Sequence, residues 1–100
     1  MKESNVAILA KLEAKPDKVQ EVADFLKGAL PLAQEEAQTN TWFALQLGPS
    51  TFGIFDTFVD DAGRQAHLNG PIAAALMANA EELLSEAPEI LQVTVLAAKV

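Results

Sequence analysis

The sequence predicts an α+β domain in which one antiparallel sheet of four strands carries its helices on a single face. Three observations predict it. Segments with strand-like apolar patterning stand near both ends of the chain and as a closely spaced pair in the middle. The two stretches between them repeat apolar residues at helical spacing. The breaking residues Pro16, Gly48-Pro49-Ser50, Asn69-Gly70-Pro71 and Pro88 fall between these segments.

Asn5 to Ala14 (NVAILAKLEA) alternates, with Val6, Ile8, Ala10 and Leu12 on one side and Asn5, Ala7, Leu9, Lys11 and Glu13 on the other, and it predicts the first strand. Lys15-Pro16-Asp17 is a turn, and Asp17 with Gln20 three residues on resembles a capping box that opens a helix. Val19, Val22, Ala23, Leu26, Ala29 and Ala33 then form one apolar stripe, and Pro31, which lacks a backbone donor, should kink or loosen the last turn. Thr39 to Leu47 (TNTWFALQL) and Thr51 to Phe58 (TFGIFDTF) are rich in β-branched and aromatic residues and predict a hairpin of two strands. Asp60 caps a short helix through Leu68, and Pro71 stands where a new helix begins. That helix carries Ile72, Leu76, Ala80 and Leu83 on one side, and Ile90 to Val100 (ILQVTVLAAKV) is the fourth strand.

The order β-α-β-β-α-β is that of a ferredoxin-like antiparallel sheet with helices on one face. The uncovered face should be polar in a monomer, yet the first strand has Ala7 and Leu9 on its second side, and the third has Phe52, Ile54 and Phe58 on one side with Phe55 on the other. A second copy of the same sheet is the expected cover, because each large apolar side chain buried contributes about 1.5 to 3 kcal/mol and a two-fold interface uses one patch twice. The alternative is a weakly apolar face left in water, which antiparallel sheets tolerate.

The whole chain, 1–100, reads as one domain, with no repeat, linker or low-complexity tract. No apolar run approaches the roughly 20 residues of a membrane span, and the N-terminus leads into a strand pattern rather than a signal or transit peptide. There is no cysteine, which excludes disulfides and thiolate chemistry and suits a reducing cytoplasm. Seven Lys and Arg against fourteen Asp and Glu give a net charge of −7, which argues against a nucleic-acid partner. No phosphate loop, metal-ligand cluster or Ser-based triad is evident, so neither metal nor cofactor is expected.

Three segments then carry a resemblance: Glu36-Ala37-Gln38-Thr39-Asn40-Thr41-Trp42, Asp56-Thr57-Phe58 and Ala66-His67-Leu68-Asn69-Gly70-Pro71. With the topology, they make the chain similar to the antibiotic biosynthesis monooxygenase family, which includes quinol monooxygenases. Gln38 stands where the family has glycine, Asp56-x-Phe58 replaces Glu-x-Trp, and Ile72 occupies the place of a second histidine found in some members. The resemblance implies a homodimeric α/β barrel with a pocket between sheet and helices. It also implies oxidation of a small phenolic or quinol-type substrate by dioxygen without metal or flavin. A haem-degrading subgroup exists, but this chain has no second histidine and no tyrosine to ligate iron.

His67, the only histidine, is the natural proton acceptor from a phenol. Its alternative reading is a partly buried imidazole tied to backbone or a carboxylate. Asp56, within an apolar strand face, would orient it, or serve as half of a structural pair with Arg64 or His67. Trp42 and Phe58 would shape the substrate pocket, with Leu9, Ile72 and Leu76 as further lining, or simply belong to the core. The expected function is therefore a small cofactor-independent monooxygenase. The alternative is a non-catalytic dimeric barrel that binds a small apolar ligand.

Overall fold

In the computed structural model, which describes residues 5–100, the elements run β1 (Val6–Glu13), α1 (Val19–Gln34), β2 (Thr39–Gln46), β3 (Thr51–Phe58), α2 (Asp61–Leu68), α3 (Pro71–Leu83) and β4 (Glu89–Thr94). The expectation that the N-terminus carries no signal or transit peptide rests on residues 1–4, which lie outside the described part. The sheet is antiparallel throughout, in the order β2-β3-β1-β4. This is the expected α+β, ferredoxin-like arrangement.

The register divides the side chains between two faces. Ile8 stands opposite Asp56, Ala10 opposite Ile54 and Leu12 opposite Phe52, and successive strand residues point to opposite sides. Ala10, Leu12, Phe52 and Ile54 pack with Val22 and Leu26 of α1, Leu76 of α3 and Leu84 just beyond it to form the main core. Beside it, Ala29 and Ala33 of α1 meet Ile72 of α3, and Trp42 packs against both groups. Small residues at two successive turns of α1 allow that close helix approach. Leu9 and Phe55, paired across β1 and β3, lie on the other face with Phe43, Leu45, Leu91 and Val93. Phe43 is 51% exposed and Leu91 41%. The helices leave this apolar face uncovered.

Two local expectations change, the cap of α1 and the end of the fourth strand. Asp17 does not cap α1: the Lys18 amide closes a turn onto the Lys15 carbonyl, 2.9 Å, so the helix starts after Lys18 without a side-chain cap, and Gln20 bonds Asp24 instead. The helix continues through Pro31 to Gln34. The fourth strand stops at Thr94 rather than Val100, because Thr94 is paired with Val6, the first residue of β1. One more bond runs from the Val95 amide to the Asn5 carbonyl.

The chain before β4 is tied back to β1. Ala14 bridges Leu84, the Lys15 amide bonds the Leu83 carbonyl, and the Ser85 amide bonds the Glu13 carbonyl. These bonds set the end of α3 and hence the direction of its buried face.

Candidate functional site

A bulge in β2 decides which side chains reach the helices. Thr39 pairs with Phe58 but Thr41 with Thr57, so one residue between them is extra. In a regular strand, residues 39 and 42 would lie on opposite faces. The bulge puts both on the helix side, Trp42 directly across from Asp56, a re-aiming for which such irregularities are commonly used. Thr41 turns to the other face, where its hydroxyl meets that of Thr57 at 2.7 Å.

Helix α2 supplies the imidazole. The Asp60 carboxylate caps it by accepting from the Gly63 amide at 2.8 Å, as expected from the sequence. Gly63 and His67, four residues apart, form its buried side. A Cβ on Gly63 would lie 2.9 Å from the Gln38 Cβ, so glycine lets the helix press against the segment leading into β2. That approach brings His67 between two carboxylates.

His67 Nδ1 lies 2.7 Å from Glu36 Oε1, and Nε2 lies 3.0 Å from Asp56 Oδ2. The Thr39 hydroxyl donates to the same Glu36 oxygen at 2.7 Å. The Nδ1 contact is a well-formed hydrogen bond. The contact to Asp56 is at ion-pair distance without hydrogen-bond alignment, and both Asp56 oxygens lack a well-formed partner. Side-chain exposure rises along the series, from 0% at Asp56 to 9% at His67 and 16% at Glu36. The Phe58 ring covers the imidazole, with centroids 5.2 Å apart.

Both inner groups titrate away from their ordinary values. Burial pushes the Asp56 carboxyl upward, and its pairing with His67 offsets only part of this. Burial alone would lower His67, but bonding and charge interactions with Asp56 and Glu36 outweigh it and raise the imidazole. The Asp56 carboxyl and the His67 imidazole therefore hold protons more tightly than isolated groups would. Chemically, the trio can store a proton, pass it on, or hold a ring rigidly.

Of the residues singled out from sequence, the structure brings Asp56, His67 and Phe58 together at this centre. Trp42 stands across from Asp56, with its indole nitrogen buried and unpaired. Ile72 and Leu76 are core residues. Leu9 lies on the far face of the sheet. Arg64, the other partner considered for Asp56, instead donates to Asp61 and to the Ala7 and Val93 carbonyls. Glu36 is the functional side chain that the sequence reading named only within a motif. Its spacing to Thr39 and Trp42 was visible, but its bond to His67, across the fold, was not.

Glu36 and His67 also line a cleft of about 220 Å³, together with Gln38, Thr39, Gly63 and Gly70. The second Glu36 oxygen, Oε2, is buried without a partner. Among the described residues no group of three or more His, Asp or Glu side chains is arranged to hold a metal. The carboxylates sit on opposite nitrogens of one ring and do not converge on a point. No described helix is long and apolar enough to cross a membrane.

No protein-family model matches the sequence, and no curated protein does. Among solved structures, NE2512, a protein of unknown function from Nitrosomonas europaea, is 61% identical over 97% of this chain and 94% of its own, with a TM-score of 0.94. A protein from Bacteriodes thetaiotaomicron, provisionally assigned as an antibiotic biosynthesis monooxygenase, matches at 17% identity over 97% of this chain and 94% of its own, TM-score 0.77. Another with the same provisional assignment, from Nitrosomonas europaea, matches at 12% identity over 96% and 95%, TM-score 0.80. The chain therefore belongs to one family with NE2512, and its fold is that of the antibiotic biosynthesis monooxygenases.

Proposed function

We propose that the chain is a small monooxygenase that oxidises a phenolic or quinol-type aromatic compound with dioxygen, using neither metal nor flavin, and that it works as a homodimer. The observation that carries this reading is the buried carboxylate–imidazole centre of Glu36, His67 and Asp56, with the apolar Phe58 ring over the imidazole and Trp42 across from Asp56. The substrate's O–H bond breaks and its proton passes to the Asp56–His67 pair. The resulting phenolate is electron-rich enough to reduce dioxygen. For a substrate with a ring CH2 group, dioxygen bonds to that carbon, the peroxide takes the proton back from the pair, and the hydroperoxide loses water with the remaining C–H proton, leaving a carbonyl. One oxygen atom then ends in the product and one in water. All four electrons come from the substrate, so no external reductant is required. An apolar wall serves this chemistry by keeping water from the intermediates.

His67 and Asp56 are the proposed catalytic residues, and Trp42 and Phe58 shape the pocket. The uncovered apolar face of the sheet supports the homodimer, in which a second sheet closes a barrel. Leu9 then belongs to the subunit contact instead of the substrate pocket.

The test is oxygen uptake over a panel of dihydroxynaphthalenes, quinols and anthrones without added metal or flavin. With an active compound, His67→Ala lowers turnover by about 10²- to 10⁴-fold in folded protein, as loss of a positioned acid–base group does. Asp56→Asn costs less, because it leaves the imidazole in place. A second reading is favoured by one feature: both ring nitrogens of His67 already face carboxylates. In that reading the trio is a structural clamp and the barrel binds a small apolar ligand without turnover. Tight binding of a panel compound with no oxygen uptake would select it.

A further inference from the structure

The three groups are joined in series, and their burial is graded. Asp56 is fully enclosed on the central strand β3, His67 is its neighbour at 3.0 Å, and Glu36 is the next at 2.7 Å. Glu36 is also the member that lines the surface cleft and the most exposed of the three, although its Oε2 is itself buried. A fully enclosed carboxylate can exchange a proton with water only through neighbouring groups that carry it. The only cation of α2 is no substitute, since Arg64 is committed to Asp61 and to main-chain carbonyls of β1 and β4.

We propose that Asp56, His67 and Glu36 form a proton relay, with Asp56 the inner end and Glu36 the outlet to solvent. With the ring neutral and its one proton on Nδ1, Asp56 releases its proton to Nε2 as Nδ1 gives its own to Glu36 Oε1, and Glu36 loses it to water in the cleft. Only O–H and N–H bonds are made and broken, and no electrons are transferred. Thr39 has a defined part in this, because its hydroxyl bond to the same oxygen fixes Glu36 toward the ring. Glu36 is thus a positioning and relay residue that acts through His67. The charged groups that face the imidazole are Glu36, from the segment before β2, and Asp56, from β3; the start of α3 contributes only Gly70 and Pro71 nearby. The assignment rests on the reading that this centre handles a proton, but its test needs no substrate.

Because the chain has one histidine, labelling histidine with nitrogen-15 gives a spectrum of His67 alone. In the wild type the ring stays protonated above the range of a free imidazole. Glu36→Gln lowers its proton affinity about tenfold or more, as removal of an adjacent carboxylate does, and slows exchange of the ring N–H protons with water about tenfold. Glu36→Asp, which keeps a carboxylate one carbon shorter, restores part of the exchange rate, and formate added to Glu36→Gln restores it with increasing concentration. Ring exchange that is equal in wild type and Glu36→Gln overturns the relay. So does a lowered proton affinity with exchange that neither Glu36→Asp nor formate recovers, since Glu36 would then only hold the ring. Absence of oxygen uptake with every aromatic compound would sink the monooxygenase reading while leaving these exchange results to judge the relay.

Discussion

At the scale of single residues, the centre couples stability to pH with a definite sign. Asp56 and His67 both have folded-state values above their ordinary ones, so the folded chain binds more protons than the unfolded chain and stability falls as pH rises. For His67 the favourable contribution is complete below the ordinary imidazole range and is lost as pH climbs through its raised value. For Asp56 the cost of ionising an enclosed carboxyl begins above the ordinary aspartate range and grows with pH. Urea unfolding is therefore expected to give higher stability near pH 6 than near pH 9. His67→Ala removes the charged partner that Asp56 has among the described residues. Leaving a buried charge unpaired costs about 3 to 5 kcal/mol. The expected loss approaches this near pH 8 and is smaller near pH 5, because the raised proton affinity of the carboxyl favours its neutral form as pH falls. An equal loss at both values would mean that Asp56 is not the group responsible.

At the scale of elements, two glycines inside helices have opposite roles. Gly63 in α2 is pressed onto the strand entry: an added Cβ would meet the Gln38 side chain at 2.9 and 3.0 Å and its carbonyl at 3.3 Å. Gly63→Ala should therefore destabilise by about 1 to 3 kcal/mol, the usual cost of overpacking, despite the better helix propensity of alanine. Because the shift would push α2 outward, the His67–Glu36 bond should lengthen and the ring's proton affinity fall. Gly28 in α1 has no atom within 4 Å of the same position. Gly28→Ala should stabilise by about 0.5 to 1 kcal/mol through backbone entropy alone. Denaturation midpoints of the two variants should move in opposite directions. The same comparison explains why α2 is short: it spans only the distance from its Asp60 cap to the Gly70-Pro71 break, enough to present one histidine.

At the scale of the whole molecule, the sheet has one face packed by helices and one apolar face in water. Phe43, Leu91, Leu9 and Phe55 share that second face, and covering large apolar side chains contributes about 1.5 to 3 kcal/mol each. The proposed homodimer follows from this arrangement. Sedimentation at micromolar concentration should give twice the chain mass, and Phe43→Glu should give a single chain with its melting transition retained. A wild-type mass of one chain would remove both the dimer and the closed barrel. The strands β2 and β4 form the sheet edges, so a dimer through the face leaves edge pairing as a separate possibility that cross-linking at Phe43 distinguishes.

What the sequence determined by itself was the order of elements and the two-sidedness of the sheet, because alternation and helical spacing are local properties that the backbone period converts directly into faces. The Asp60 cap, Pro71 at a helix start and the stripe of Val22, Leu26, Ala29 and Ala33 are of this kind. His67 and Asp56 were legible as chemistry, being an isolated imidazole and an acid in an apolar strand. Their mutual distance was not. The strand bulge that turns Trp42 toward the helices left no clear trace in a run of β-branched and aromatic residues. The end of β4 at Thr94 depended on where its partner β1 begins. Glu36 became part of the centre only when α2 packed against the entry to β2, which brings residues 31 positions apart to 2.7 Å. Strand pairing and helix packing decide such contacts, since they join segments whose separation along the chain carries no local periodicity.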